Sequence, residues 1–302
     1  MMTKRFVVCI AMTAVSTMLI AAPASAQPAT TAAKPAAAAT SAAAAAKPAV
    51  AAAPAAAKPA APAKFDAASA LNRAERQPML AERITKAFSL IGQKVLEARS
   101  KRQIDDAAAD FQVGLKELIA TAPTPEIKAN YQLLDQLWGE YRSIITRPAT
   151  QENLKELAEQ NEELVWIATK GANLIEAYVK TPQGDLIAVA GTARILSQRI
   201  AKLYLFRSWG LRDNVVVAKD LKAAETEYRA AITRLLAATV NTPQIKNELA
   251  LAETQWVFLK SSIEKLDANR ISKIELEAVA KSCDNITESM ERVTKLYEGL
   301  KI

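Results

Sequence analysis

The stretch AGTARILSQRIAK at residues 190–202 decides the fold, because the chain writes it twice: AERQPMLAERITK stands at residues 74–86, displaced by 116 positions. Leu80, Arg83, Ile84 and Lys86 recur as Leu196, Arg199, Ile200 and Lys202. Further along, TPEIK from Thr124 recurs as TPQIK from Thr242 and Trp138 recurs as Trp256, both displaced by 118, and Tyr178 and Tyr297 match at 119. Shared composition does not keep register over such distances, so the matches argue for a duplicated unit.

Between these anchors, Ala, Leu, Glu, Lys, Gln and Arg dominate, and apolar residues recur at three and four. The pattern predicts helices over about 66–100, 103–121, 125–146, 150–180, 185–209, 213–239, 243–267 and 272–299. Thr124-Pro125 and Thr242-Pro243 each put a capping hydroxyl before a proline at the first helical position, and Asp185 follows a Pro182-Gln183-Gly184 turn. The expected fold is all-α, with two tandem four-helix, up-down bundle repeats at residues 65–182 and 183–302. About 115 residues suffice for one such bundle, so the body is either two tandem bundles or one joint eight-helix body.

The first 64 residues differ in kind. MMTKR, an apolar run over 6–22 and the small residues of PASA before Gln27 fit a secretory signal peptide at 1–26, with an uncleaved anchor as the alternative. Residues 27–64 are almost wholly Ala, Pro, Thr and Lys, an Ala/Pro/Lys-rich linker that buries too little apolar surface to order itself. It is either a tether or a low-complexity leader of no specific use. The expected location is the periplasm, with no transmembrane span left after signal cleavage.

Charge and composition exclude several functions. The whole chain carries +7, but the first 64 residues hold six positive charges and no negative ones, so residues 65–302 carry +1 and make no case for nucleic acid. Histidine is absent, which removes His-based acid–base catalysis, Ser-His-Asp triads and histidine metal sites. After signal removal Cys283 is the single cysteine, read as a small core residue or, alternatively, an intermolecular disulfide partner. There is no glycine-rich phosphate loop, and the carboxylates are spread along helix faces in the usual solvated arrangement. No catalytic residue, cofactor or metal is expected, and the protein is not read as an enzyme.

Gly191, Arg194, Leu196, Ser197, Gln198, Arg199, Ala201 and Lys202 resemble the signature A-G-R-Q-R-M-L-S-Q-R-M-A-K of the type IV pili methyl-accepting chemotaxis transducer N-terminal domain, the PilJ-type domain. That domain is related to the input domains of NarX-type nitrate/nitrite sensors. The earlier stretch looks like a diverged copy that keeps Arg76, Gln77, Met79, Leu80 and Arg83, so the resemblance spans residues 66–299 as two repeats. It implies a periplasmic, all-helical sensory module in which two signature helices face each other. It also implies an anion bound by the arginine at the fifth motif position, here Arg194, close to the glycine, here Gly191. A guanidinium fork suits a planar oxyanion.

In the first copy Pro78 replaces that arginine and Glu75 that glycine. A kink is expected at Pro78, and Glu75 puts negative charge where an anion would approach. No symmetric two-arginine site can form within one chain. A half site at Arg194, a site between two molecules of a homodimer, or no oxyanion site remain open. Gly191, Arg194 and Gln198 are the ligand candidates, while Arg194, Gln198 and Lys202 at i, i+4 spacing also read as one solvated face. Arg83, Arg199, Lys86 and Lys202 recur in both copies and read as structural contacts between helices. Trp138 and Trp256 are expected in the core, and Trp166 and Trp209 either line a pocket or cover a bundle end. The expected function is secreted sensory-type binding of nitrate, nitrite or another small anion, with output through a protein partner. The alternative is a structural or interaction protein of the envelope or of a pilus-associated chemosensory system, with no small ligand.

Overall fold

The computed structural model describes residues 65–211, 214–267 and 271–300. The signal peptide and the linker expected at 1–26 and 27–64 lie outside the described residues. Those described are helical almost throughout: α1 (Ala67–Gly92), α2 (Glu97–Ala120), α3 (Pro125–Ile145), α4 (Gln151–Val179), α5 (Pro182–Trp209), α6 (Asn214–Leu236), α7 (Pro243–Asp267) and α8 (Lys273–Glu298). The all-α fold follows from the sequence pattern, and the caps explain most of its punctuation. Thr124 Oγ1 accepts from Ile127 N–H and Thr242 Oγ1 from Ile245 N–H, as the two Thr-Pro pairs predict.

α1 packs on α2 and α4, and α3 closes the ring by packing on both; α5 packs on α6 and α8, and α7 closes the second ring in the same way. Short connections make successive helices antiparallel. The rings meet along α1 and α5, which pack extensively. These two run parallel: an added Cβ at Gly184 would sit 3.4 Å from Leu71 and one at Gly191 2.5 Å from Glu75, while Gln93 Nε2 donates to Leu205 O. All the described residues belong to one compact unit, Lys58–Ile302. The duplicated signature helices are therefore the innermost pair of one body.

Each ring has an aromatic centre at the position the repeat marks. Trp138 stacks on Phe111 with centroids 4.1 Å apart, and Trp256 stacks on Tyr228 at 4.7 Å. Both tryptophans are buried, as is Cys283. Tyr178 and Tyr297 have diverged: Tyr297 is buried with its hydroxyl on Asn241 Oδ1, whereas Tyr178 is half exposed with its ring edge-on to Phe65.

The first helix ends sooner than expected. The predicted helix over 66–100 is two elements, broken after Gly92, so the break at 101–102 does not exist and α2 starts at Glu97 instead of 103. Lys94 and Leu96 adopt left-handed backbone, φ 57° and 49°, and Val95 N–H closes the turn on Leu90 O. Tertiary contacts hold this turn: Val95 is buried, Gln93 bonds Leu205 O, and Ser208 Oγ donates to Gln93 Oε1. α5 in turn begins at Pro182 instead of 185, because Thr181 Oγ1 caps Gly184 N–H and Pro182 takes the first helical position. α1 continues without a break through Pro78, which is buried.

Candidate functional site

The solvated face expected for Arg194, Gln198 and Lys202 is not solvated. Arg194 is 1% exposed, and Gln198 and Lys202 are fully buried, because α5 is the inner helix of the body and is covered by α1, α6 and α8. Several carboxylates expected at the surface are likewise buried, among them Glu75, Glu82 and Asp284. Charges withdrawn from water need partners, and these have them.

The closing lysine of each signature helix crosses to the other repeat. Lys202 on α5 reaches Glu82 Oε2 on α1 at 2.7 Å, and Glu162 Oε1 (2.9 Å) and Asn161 Oδ1 (2.6 Å) on α4. Lys86 on α1 pairs with Asp284 on α8. Asp284 also accepts from Arg99 at 3.0 Å and Gln103 at 2.7 Å, both on α2, and from Gln198 at 3.3 Å. Burial pushes the Lys86 ammonium below its ordinary pKa, an effect that Asp284 opposes. Burial would raise Asp284, but the charges of Lys86 and Arg83 outweigh it and hold the carboxyl low. Arg199 bridges Glu82 and Glu162 at 2.9 Å each. Its repeat mate Arg83 has an Nε without a hydrogen-bond partner.

A different environment surrounds Arg194. Its side chain leans back toward the start of α5, as helical side chains do, and Nη2 donates to Asn72 O at 3.3 Å. Nε has no hydrogen-bond partner. Burial pulls the guanidinium down to about 10, against the opposing pull of Glu291 and Glu75. At neutral pH it remains a cation.

Arg194 lines a cleft of about 370 Å³ between α1 and α8. α1 supplies Ser69, Asn72, Arg73 and Arg76, and α8 supplies Glu291, Lys295 and Glu298. Arg73 pairs with Glu117 at 2.5 Å, Arg76 with Asp110 at 3.1 Å and Glu291 at 3.3 Å, and Lys295 with Glu298 at 3.1 Å. Of the three ligand candidates, only Arg194 lines this cleft. Gly191 lies against Glu75, and Gln198 is bound to Thr287 Oγ1 at 2.6 Å in the buried network. The α1 and α8 walls were missed from the sequence, although Ser69, Asn72, Arg73 and Arg76 recur at i, i+3, i+4, i+7 and form one polar stripe along the first turns of α1.

Trp166 is 63% exposed. Trp209 lies partly buried against Gly92 at the end of the α1 and α5 pair, and its carbonyl accepts from Gln151 Nε2 at 2.8 Å. Among the described residues no group of His, Cys, Asp or Glu is arranged to hold a metal ion, and no helix is long and apolar enough to cross a membrane.

The chain is similar to methyl-accepting chemotaxis protein McpN of Pseudomonas aeruginosa, 28% identical over 241 residues. The aligned region covers 76% of this chain and 44% of that protein, so the chain spans less than half the length of this relative. No protein-family model and no solved structure matches the chain.

Proposed function

We propose that this is a periplasmic, non-enzymatic protein of the sensory type that binds a small ligand with a negatively charged group at Arg194 and acts through a protein partner. The similarity to a methyl-accepting chemotaxis protein supports a sensory role. The resemblance to PilJ-type domains, taken for both 65–182 and 183–302, points to nitrate, nitrite or another small anion. One observation carries the reading: a fully buried arginine, its Nε without a hydrogen-bond partner, lines a cleft that also holds Arg73, Arg76 and Lys295. A desolvated guanidinium donor gains most from a charged acceptor.

The test is a thermal-shift titration of the full chain with nitrate, nitrite, acetate and amino acids, beside Arg194→Lys and Arg194→Gln. A ligand at a hundredfold over its Kd adds about 2.7 kcal/mol, a shift of a few degrees for a body of this size. The expected outcome is a shift from at least one solute that both variants lose. No shift from any of them sinks the reading.

A structural or interaction role without a small ligand is the second reading. It is favoured by Leu251, Val257 and Phe258 of α7, apolar side chains that are more than half exposed. Under it the titration is flat, and Val257→Asp with Phe258→Asp abolishes capture of a periplasmic partner without lowering Tm.

A further inference from the structure

Four buried polar atoms without hydrogen-bond partners belong to residues that line the Arg194 cleft, and they are of both kinds. Arg194 Nε and Arg76 Nε are donors; Asn72 Oδ1 and Glu291 Oε1 are acceptors. Arg76 Nε and Glu291 Oε1 stand 3.3 Å apart as an ion pair but without hydrogen-bond geometry. The amide of Asn72 is oriented by Nδ2, which donates to Glu298 Oε2 at 2.9 Å and leaves the buried Oδ1 as an acceptor without a donor. Arg76 Nε and Glu291 Oε1 thus face each other, whereas Arg194 Nε and Asn72 Oδ1 have neither a hydrogen bond nor an ion pair, and a buried donor and a buried acceptor left so in one cleft are the atoms a bound group would complete.

A bare oxyanion answers only half of this cluster. It accepts from Arg194 and Arg76 but brings no donor for Asn72 Oδ1 or Glu291 Oε1, and it adds a third negative charge beside Glu291 and Glu298. It also leaves much of the space empty: about 370 Å³ lies within the roughly 300–1,000 Å³ of small-molecule sites and far above the ~30 Å³ that one water takes. We infer that the Arg194 cleft takes a small zwitterion of the α-amino acid class, its carboxylate on the guanidinium of Arg194 and its ammonium on Asn72 Oδ1 and Glu291 Oε1. This rests on the reading of the cleft as the ligand site and names the ligand's second charge. The ammonium has three donors and no acceptor, which matches two acceptor atoms flanked by a carboxylate. Both charges are met by opposite ones, so binding leaves no buried charge unpaired.

The test is isothermal titration of the full chain with each standard amino acid. For each amino acid that binds, it is repeated with the analogue lacking the amine, with the analogue lacking the carboxylate, and with nitrate. At least one amino acid binds, and both analogues bind about tenfold more weakly or worse, as expected for the loss of a charge-assisted hydrogen bond. Glu291→Gln, close in shape, weakens the amino acid by a similar factor and, by removing a negative charge beside the anion, tightens nitrate. If nitrate or the amine-free analogue binds as tightly as the amino acid, and Glu291→Gln has no effect, the zwitterion is overturned while the anion site at Arg194 stands. If nothing binds, both fall. The analogue comparison uses the native protein and stays decisive even where Glu291→Gln does not fold.

Discussion

Glu75 and Gly191 hold the same position in the two repeats and face each other across the parallel α1 and α5, so close that a Cβ at position 191 would lie 2.5 Å from the Cβ of Glu75. The contact explains why one member of the pair is glycine. A Cβ is tied to its backbone and cannot turn away, so relief requires the helices to part. Gly191→Ala should therefore destabilise by about 1–3 kcal/mol, the range for an overpacked core. Glu75→Gly in the same chain should return part of that loss, despite about 1 kcal/mol for glycine inside a helix. Urea unfolding of the two single variants and the double variant measures the coupling. An alanine variant as stable as the native chain would show that the helices are not held this close.

The crossed lysines should behave as buried ion pairs. Lys202→Met leaves Glu82 buried with Arg199 as its remaining cation, and removing one partner of a buried pair costs about 3–5 kcal/mol. The lower end of that range is expected because Arg199 stays. Chemical denaturation reads the cost, and a loss under about 1 kcal/mol would mean that water replaces the lysine.

Acid should unfold the protein through Glu162 and Asp284. Burial raises both, but Lys202 and Arg199 on Glu162, and Lys86 and Arg83 on Asp284, outweigh it and hold both carboxyls below the ordinary range. A depressed folded pKa gives stability that is fully present above the unfolded value, near 4, and is lost as pH falls through the folded value. Tm should thus hold from pH 7 to about 5 and then drop, and Glu162→Gln should flatten the drop. An acid limb of unchanged slope in that variant would remove Glu162 from the account.

The four tryptophans should separate by burial. Trp138→Ala removes a ring stacked on Phe111 and Tyr141 and a bond from Nε1 to Gln112 Oε1 at 3.0 Å, and should cost about 3–5 kcal/mol. Trp166→Ala, at an exposed site, should stay within about 0.5 kcal/mol. Acrylamide quenching should remove the Trp166 emission first. Equal quenching of the native chain and Trp166→Ala would contradict its exposure.

Much of the architecture was legible because its signals are local or periodic. Thr124-Pro125 and Thr242-Pro243 start helices through their own hydroxyls and fixed φ, and the helices do start there. The turn after Gly92 was not legible, since Lys94 and Leu96 carry no turn chemistry of their own. The repeat held the clue: Lys94 stands 116 residues before Gly210, which takes the same left-handed conformation at φ 65°. Val95 and Leu211 close these two turns alike, on Leu90 O and Phe206 O.

The candidate site was half visible. Arg194 stood out through its motif position, but its surroundings depend on which helices cover α5. A row of charges at i, i+4 reads the same on a solvent face as on a buried one, because periodicity reports a stripe and not its neighbours. What the sequence by itself determined is the helical content, most helix starts, the duplication and the aromatic centre of each repeat, all encoded in local propensity and register. Only the tertiary structure decided that the signature helices pair in the interior, that their lysines cross between repeats, and that Arg194 meets the polar stripes of α1 and α8. Those outcomes follow from burial and charge pairing between residues more than a hundred positions apart, which no local pattern records.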